Sequence, residues 1–352
     1  MPERIRLQDD EPVFPSAATE ASKMEEAVTR RNFMKAAGIA GGATLVSGLV
    51  PPREALAAPS EEAGVPDPLL NGVCDIHVHA APDTKNRLID EFSFCVAAQK
   101  AGYRAVMFKS NEWSCHDRAY LIRQALPGFA CFGSLCMNRV HGDKVNVHAA
   151  AMAVKTTGNL CRCIWMPTQA ASWQHIRENL PGKGIPVLDD AGNVLPEVVR
   201  VMEICAEADI IFATGHSSPE ESLVLARKAR EVGVGKFVVT HANSGIWKMT
   251  REQILRVADL GGFLEYSYLT NLAGPGTGLP TLARMSDEEF IRYAGIVPER
   301  SFISTDLGQV NMPHPLDGMR RCITALLQGG MSRRDVDLMV RSNPARLLGL
   351  DA

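Results

Sequence analysis

Apolar runs that alternate with helical patterns limit the possible folds of this chain more than any other feature. Between residues 73 and 305 there are eight short strand-like runs, and several are continuously apolar, as expected for strands buried on both faces. Helical patterns separate them, for example one that begins at Ser218-Pro219 with Glu221 three residues after the serine. The predicted strands span residues 73–79, 103–109, 129–136, 161–166, 210–214, 237–241, 263–268 and 302–305.

This alternation predicts an α/β fold, a closed (β/α)8 TIM barrel with extra C-terminal helices over residues 316–327 and 333–340. An open, doubly wound sheet is the alternative. No Gly-x-Gly-x-x-Gly turn follows the first strand, which argues against a dinucleotide-binding fold. We therefore assign residues 72–352 to one barrel domain.

The first 71 residues are predicted to lie outside this domain. Arg30 and Arg31 precede a mildly apolar run over residues 36–50, and a small-residue stretch with Ala55 and Ala57 follows. This is the order of an export signal, although an amphipathic N-terminal helix is the alternative. The paired arginines followed by Phe and Lys resemble the bacterial twin-arginine signal. The resemblance implies a cleaved signal over residues 1–57, a linker over residues 58–71, and export of the folded protein to the periplasm by the twin-arginine machinery.

Composition argues against several kinds of partner. The formal net charge is −3 and the hydrophobic fraction is 46%, so neither nucleic acid nor an anionic membrane surface is expected as a partner. The N-terminal apolar run is too short and too rich in glycine to span a membrane, and no membrane anchor is expected after cleavage. The nine cysteines are irregularly spaced, which predicts small buried side chains rather than a disulfide framework. The sequence does not decide whether the protein forms a homo-oligomer.

Polar residues recur where the predicted strands end, and this end of a (β/α)8 barrel carries the chemistry. The first strand ends in His77-Val78-His79, and alternation along a strand places both imidazoles on one face. Two neighbouring imidazoles suit a divalent metal ion, although an isolated His-x-His pair also arises by chance. The other polar residues at strand ends are Lys109 at the end of the second strand, His216 after the fifth, His241 at the end of the sixth, Glu265 on the seventh and Asp306 after the eighth.

Taken together, these strand ends resemble the pattern of the amidohydrolase superfamily of metal-dependent hydrolases. The matching residues are His77, His79, His216, His241 and Asp306. The tail SNPARLLGL at residues 342–350 is similar to the C-terminal helix of many members, and the resemblance covers residues 73–350. The segments IWMPT and ATGHSSPEE are similar to a branch without an assigned activity.

The resemblance implies a role for each matching residue. His77, His79 and His216 would bind the metal ion, and His241 would either bind a second ion or polarise the substrate carbonyl. Asp306 would contact the metal and take the proton of the attacking water. A divalent cation lowers the pKa of bound water from about 15.7 to about 7, and a nearby carboxylate can pass the proton to the leaving group. His and Asp ligands fit Zn, Mn or Fe, of which zinc is favoured.

One departure from the superfamily pattern lies at the end of the fourth strand. Many two-metal members have a carboxylated lysine or a glutamate there, whereas this chain has Met166-Pro167-Thr168. One ion is therefore favoured over two. Lys109 could supply a bridging carbamate or pair with an anionic substrate, and a solvated lysine at a strand end is the alternative.

The expected activity is metal-dependent hydrolysis of an amide, lactone or related ester bond of a small molecule. The second alternative is a non-hydrolytic member of the superfamily, a decarboxylase or hydratase on a small carboxylic acid, which a basic residue such as Lys109 or Arg139 would favour. The third is a binding protein on a barrel that has lost catalysis, and retention of all five polar positions argues against it. The segment 272–279 after the seventh strand is either a lid over the site or a plain loop.

Overall fold

Eight parallel strands form one sheet in the order β1 to β8, with helices between them. The computed structural model describes residues 67–350, which all belong to the unit Leu56–Ala352. The predicted (β/α)8 barrel is confirmed, and all eight predicted strands are present. The strands are β1 Cys74–Val78, β2 Ala105–Phe108, β3 Ala130–Cys136, β4 Cys161–Trp165, β5 Ile211–Ala213, β6 Phe237–Val239, β7 Phe263–Ser267 and β8 Ser301–Ser304.

The structure contains two short helices that the sequence pattern does not predict, both in the connections between strands. The helices are α1 Glu91–Lys100, α2 His116–Ala125, α3 Val147–Ala153, α4 Ser172–Arg177, α5 Pro196–Glu207, α6 Pro219–Val232, α7 Arg251–Asp259, α8 Leu269–Leu272, α9 Asp287–Ala294, α10 Pro315–Gln328, α11 Arg333–Asp337 and α12 Asn343–Leu348. A π-helix, Leu338–Ser342, joins α11 to α12, and short 3-10 helices lie at Arg139–His141, Gly245–Trp247 and Pro298–Arg300. The extra C-terminal helices are thereby confirmed, while α4 and α8 are the two that the pattern misses.

Helix α6 shows how local sequence fixes an element. The Ser218 hydroxyl accepts a hydrogen bond from the Glu221 backbone at 3.0 Å, and the Glu221 carboxylate accepts one from the Ser218 backbone at 2.6 Å. These bonds satisfy N–H groups that the first turn leaves without partners. Leu225 and Ala229 lie on the buried face, four residues apart, as an amphipathic helix requires. Gly233 ends the helix in the left-handed conformation.

The last part of the segment predicted as a linker packs against the barrel. Leu70 is fully buried, the Asp67 carboxylate pairs with Arg320 Nε at 2.6 Å, and Arg341 donates to the Leu69 carbonyl. Residues 1–66, which include the predicted signal and its cleavage site, lie outside the described residues. Within residues 67–350, none of the helices has the length and apolar character needed to cross a membrane.

The seam between β1 and β8 is held by a buried carboxylate and by the backbone beyond the strand ends. The Asp75 carboxylate accepts hydrogen bonds from the Thr305 backbone at 3.1 Å and from the Thr305 hydroxyl at 2.6 Å. Just past the seam, Asp306 N donates to the His77 carbonyl at 2.9 Å. The first and last strands of the barrel are thereby joined, and His77 is placed next to Asp306.

Replacing Asp75 with Ala is expected to lower the free energy of unfolding by about 3 kcal/mol, since both Thr305 donors would lose their buried acceptor. The Asp75→Asn variant is the matched control, because its amide can accept from the Thr305 backbone and donate to the Thr305 hydroxyl. Urea unfolding of both variants measures the difference. Equal losses in the two variants would contradict the role of the seam hydrogen bonds.

The same pair of proteins tests a pH dependence. Burial raises the pKa of Asp75 to about 7 from an ordinary value of 3.8. Because the folded state then binds this proton more tightly than the unfolded state, this group makes stability fall as pH rises from about 4 to about 7. We expect the stability of Asp75→Asn relative to the wild type to increase across this window in urea titrations. Parallel profiles for the two proteins would contradict this titration.

Candidate metal centre

The polar residues predicted at strand ends meet at the carboxyl-terminal mouth of the barrel. His77 lies on β1 and His79 directly follows it. The others are Lys109 after β2, His216 after β5, His241 after β6, Glu265 on β7 and Asp306 after β8. All seven side chains belong to buried residues. The shared position follows from the parallel strands, whose carboxyl ends all open on the same face.

Asp306 lies at the centre of this group. Its Oδ1 atom is 3.1 Å from Nε2 of His77 and 3.1 Å from Nε2 of His79. Its Oδ2 atom is 3.8 Å from Nε2 of His241. Asp306 and His241 both have a φ of 54°, in the left-handed region that non-glycine residues rarely adopt. Such backbone strain is typical of functional sites, where the surrounding structure holds a side chain in a required direction.

His77 is oriented from behind by a second carboxylate. Its Nδ1 atom lies 2.6 Å from Oε1 of Glu265, which also accepts a hydrogen bond from the Ser304 hydroxyl at 2.6 Å. The Trp165 ring packs against the imidazole, with ring centroids 4.8 Å apart. A carboxylate on Nδ1 fixes the orientation of the ring and turns Nε2 into the site, as is common for metal-binding histidines.

His79 is held differently, by a cation. Arg87 Nη2 lies 3.2 Å from His79 Nδ1 and forms an ion pair with Asp83 at 2.9 Å. Arginine has only donors, so His79 Nδ1 accepts and the proton of the neutral ring lies on Nε2, which donates to Asp306. Binding a metal through this Nε2 would require Arg87 to release Nδ1.

His216 and His241 are each oriented by a neutral group. His216 Nδ1 lies 2.6 Å from Gln174 Oε1, and His241 Nδ1 lies 2.8 Å from the Ser267 hydroxyl. The two imidazole centroids are 5.2 Å apart, and the Trp247 ring lies 4.3 Å from that of His216. In all four histidines, therefore, another side chain holds Nδ1. Nε2 of three of them faces Asp306, and Nε2 of His216 has no hydrogen-bond partner within residues 67–350.

Burial keeps three of the histidines neutral. It lowers the pKa of His79 to about 3 and that of His241 to about 4, although Asp306 acts in the opposite direction on both. Burial and the neighbouring His241 hold the pKa of His216 well below its ordinary value. At neutral pH these rings are uncharged, which is the state that metal coordination needs.

His77, Asp306 and Glu265 stabilise one another's charged forms. Burial disfavours the charged form of His77, but Asp306 and Glu265 outweigh it and raise the pKa of this imidazole. Burial likewise opposes ionisation of Asp306 and Glu265, but His77 lowers the pKa of both, that of Asp306 to well below its ordinary value. Both carboxylates are therefore ionised at neutral pH.

The donor atoms fit a divalent metal ion. His77, His79 and Asp306 each offer one ligand atom within 4.8 Å of the others, as do His77, His241 and Glu265. Two buried atoms, His216 Nε2 and Glu265 Oε2, have no hydrogen-bond partner within residues 67–350. An unpartnered buried donor or acceptor is costly, and a metal ion bound beside it would remove that cost. Imidazole nitrogen with carboxylate oxygen is a set that suits zinc, manganese or iron.

Replacing Glu265 with Gln is expected to weaken metal affinity by about 10- to 100-fold, the usual effect of removing an outer carboxylate from a histidine ligand. The variant keeps the size of the side chain and loses the charge that faces His77 Nδ1. Competition with a fluorescent chelator measures the affinity. Ser304→Ala, which removes one hydrogen bond to Glu265 but keeps its charge, should have a smaller effect. Unchanged affinity in Glu265→Gln would contradict the orienting role.

A cavity of about 550 Å³ opens above the site, within the size range of small-molecule pockets. His79, His216, His241, Lys109 and Asp306 are part of its wall. The segment 272–279, predicted as a lid or a loop, contributes Gly278 and Leu279 to the same wall. It is anchored there because Gly278 N donates to the Asn311 carbonyl at 3.1 Å.

The two basic residues considered in the sequence lie in different environments. Lys109 is 3% exposed, with Nζ 3.1 Å from His77 Nε2 and 4.9 Å from the centroid of the Trp165 ring. It therefore faces the histidines of the site rather than solvent. Arg139 is half-exposed, pairs with Asp143 at 2.6 Å, and is not part of the cavity wall.

The residues that orient the histidines are the part of the site that sequence reasoning missed. The sequence pattern places Glu265 on its strand without giving it a role, and it does not indicate Arg87, Gln174 or Ser267. Glu265 carried a usable signal, since a charge inside an apolar run is costly to bury and needs a partner. Gln174 carried none, because it lies on the unpredicted helix α4.

Comparison with solved structures shows the fold shared with known proteins. A dihydroorotase is 16% identical with a TM-score of 0.51, and the match covers 80% of this chain and 71% of that one. An amidohydrolase from Pseudomonas aeruginosa is 12% identical with a TM-score of 0.52, covering 80% and 97%. The probable dipeptidase PvdM from Pseudomonas aeruginosa is 13% identical with a TM-score of 0.52, covering 80% and 96%.

Comparison of sequences gives a family. No curated protein matches the chain. The model of a family of unknown function, DUF6282, matches residues 72–265, which include strands β1 to β6 and the first part of β7 up to Glu265. This match covers more than half of the chain, and the chain therefore belongs to the DUF6282 family.

Proposed function

We propose that this protein is a metal-dependent hydrolase that cleaves an amide, lactone or related ester bond of a small molecule. The convergence of His77, His79 and His241 on Asp306 in the cavity wall, with the His216 ring beside that of His241, carries the proposal. The fold is shared with an amidohydrolase and a dihydroorotase, which is consistent with membership of the amidohydrolase superfamily.

In this proposal the metal, with zinc favoured, is held by His77, His216 and Asp306 together with His79 once Arg87 releases it. A bound divalent ion supplies Lewis acidity, which lowers the pKa of water from about 15.7 to about 7. One ion remains favoured over two, because the strand-4 position of a bridging ligand is occupied by Met166-Pro167-Thr168.

Asp306 is the general base. Its pKa is well below the ordinary value, with His77 and His79 opposing the effect of burial, so the carboxylate is ready to accept a proton from water at neutral pH. It then passes that proton to the leaving group. His241 has two alternative roles because the Ser267 hydroxyl can donate to Nδ1 or accept from it. If the hydroxyl donates, His241 Nε2–H can polarise the substrate carbonyl, and if it accepts, Nε2 is free to bind metal.

Metal removal tests the proposal. The full chain, loaded with zinc, is assayed against a panel of amides, lactones, phosphoesters and carboxylic acids. We expect hydrolysis of at least one amide or lactone, loss of that activity with a chelator, and its return with added zinc. Elemental analysis should give one ion per chain. Turnover that persists after complete metal removal would contradict the mechanism, and two ions per chain would contradict the single-ion site.

One observation favours a second candidate, a decarboxylase acting on a small carboxylic acid. Lys109 places a buried ammonium beside the metal ligands, where it could hold a carboxylate. Product analysis separates the two reactions. Release of carbon dioxide without incorporation of oxygen from labelled water would favour decarboxylation over hydrolysis.

We also propose that the enzyme works in the periplasm after twin-arginine export. The support is the order of Arg30-Arg31, the apolar run and the Ala55-x-Ala57 site in the sequence. Replacing both arginines with lysine should leave the protein in the cytoplasm of a bacterial host. Unchanged export of that variant would contradict the proposed route.

A further inference from the structure

Two lysines in the cavity wall lack a carboxylate partner. Lys109 is 3% exposed, and its ammonium forms a hydrogen bond with an imidazole nitrogen, His77 Nε2. Lys85 lies in the loop after β1, and its ammonium makes no hydrogen bond within residues 67–350. Neither ammonium has a carboxylate oxygen within 4.0 Å among the described residues. Burying an ammonium without a counter-ion costs desolvation free energy. A bound anion next to Lys109 would offset that cost.

Three carboxylates lie near these lysines, and of these Glu112 is more than 4.0 Å from the Lys85 ammonium while the other two are engaged elsewhere. Asp83 forms its ion pair with Arg87, and Asp306 contacts the histidines. Because His77 Nε2 is also a proposed ligand atom, Lys109 gives up its hydrogen bond to that nitrogen in the loaded enzyme. The two lysine charges on the β1 and β2 side of the cavity are then available to a bound molecule.

The loops after β7 and β8 give the cavity an apolar wall. Leu269, Leu279 and Leu282 belong to the first of these loops and Val310 to the second. Leu279 and Leu282 pack on a small cluster of buried residues that includes Leu307 and is separate from the barrel core. Val310 is 40% exposed, so an apolar group bound here would cover surface that otherwise faces water.

We propose that the substrate carries a carboxylate, which Lys109 and Lys85 bind, and an apolar group that packs against Leu279, Leu282 and Val310. The scissile bond then lies between these two ends, beside Asp306. A carboxylate is favoured over a phosphate because the arginine at this edge, whose fork would suit phosphate, is bound to Asp83. This assignment rests on the proposed hydrolytic function for its scissile bond, but the binding itself can be measured without catalysis.

The test uses a matched pair of ligands that hydrolysis cannot cleave. One is 4-oxononanoate, the ketone analogue of an N-acyl amino acid, and the other is the same ketone with an isopropyl group in place of the carboxylate. Calorimetry on the zinc-loaded full chain gives both affinities. We expect the carboxylate ketone to bind at least about tenfold more tightly, which corresponds to about 1.4 kcal/mol.

Variants assign this preference to the lysines. Lys85→Gln and Lys109→Gln should each reduce the preference for the carboxylate ketone and leave the affinity of the isopropyl ketone within about twofold. Lys85→Arg keeps the positive charge and should keep most of the preference. Lys228→Gln, a lysine substitution on the outer helix α6, should change neither affinity. Zinc content is measured for every variant, so that loss of metal in Lys109→Gln is recognised. If Lys109→Gln loses zinc, the affinities of Lys85→Gln alone test the proposal.

Equal affinities for the two ketones, or a preference that survives both glutamine variants, would overturn the proposal. Tighter binding of the corresponding phosphonate would overturn the choice of carboxylate over phosphate. A carboxylate preference that depends on the lysines, in an enzyme that hydrolyses no amide, lactone or ester of the panel, would support this site and contradict the hydrolytic function.

Discussion

Asp306→Asn is expected to lower kcat by roughly 10³-fold or more, because the variant loses both the proposed general base and the negative charge at the centre of the site. Its Oδ1 atom lies 3.1 Å from two imidazole nitrogens, and no other carboxylate reaches both His77 and His79 through Nε2 within residues 67–350. Asn tolerates the left-handed backbone at φ 54° as well as Asp does. The fold should therefore persist, and steady-state kinetics on the best panel substrate measures the loss.

Asp209→Asn is the matched control. Asp209 also has a left-handed φ, 50°, and pairs with Lys236 at 2.8 Å just before β5, away from the mouth. It should keep wild-type turnover. Thermal unfolding of the metal-free proteins checks that Asp306→Asn is folded. Full turnover in a folded Asp306→Asn protein would show that the assigned role of Asp306 is wrong.

Gly308→Ala is expected to lower the free energy of unfolding on the order of 4 kcal/mol or more, by backbone strain and a clash together. Gly308 has a φ of 128°, and a Cβ at this position would lie 1.6 Å from the His79 carbonyl oxygen. Backbone atoms cannot move aside as a flexible side chain can. The loop after β8 would have to withdraw from β1, which would also carry Asp306 away from His79.

Gly142→Ala separates the clash from the strain. Gly142 has a similar φ of 114°, but a Cβ there would have nothing within 4 Å. This control should lose about 1–3 kcal/mol from backbone strain alone. Chemical denaturation gives both values, and metal affinity of any Gly308→Ala protein that folds reports on the site. Similar losses in the two alanine variants would contradict a steric requirement at Gly308.

The alternation of strands and helices was predictable because barrel strands are buried on both faces and read as short apolar runs. Even strands of three residues, such as Ile211–Ala213, stand out in this way. Helix α4 was not predictable, because its six residues bury no side chain and show no apolar period. The hydrogen bonds between Asp75 and Thr305 were not predictable either. In the sequence Asp75 only interrupts an apolar run, and its partner is known only once the fold places Thr305 beside it.

The candidate site divides in the same way. His77, His79, His216, His241 and Asp306 were found because each follows or ends a strand, and parallel strands place such positions on one face. Their metal-binding roles stay predictions. The residues behind them come from distant loops and a neighbouring strand, as Gln174 and Ser267 show, and no spacing in the sequence links them to the histidines.

The seam described above has a consequence for the order in which the molecule becomes competent. Asp75 and Thr305 are 230 residues apart in the sequence, and the groups they bring together, His77 and Asp306, lie on opposite sides of the closure. A growing chain that has not yet reached β8 lacks Asp306 and cannot assemble the centre. A ligand bound by residues that follow both β1 and β8 would stabilise the contact between these strands. Its binding free energy would offset the entropy cost of closing so long a loop. Any activity of this centre would thus be confined to finished molecules by the topology of the barrel.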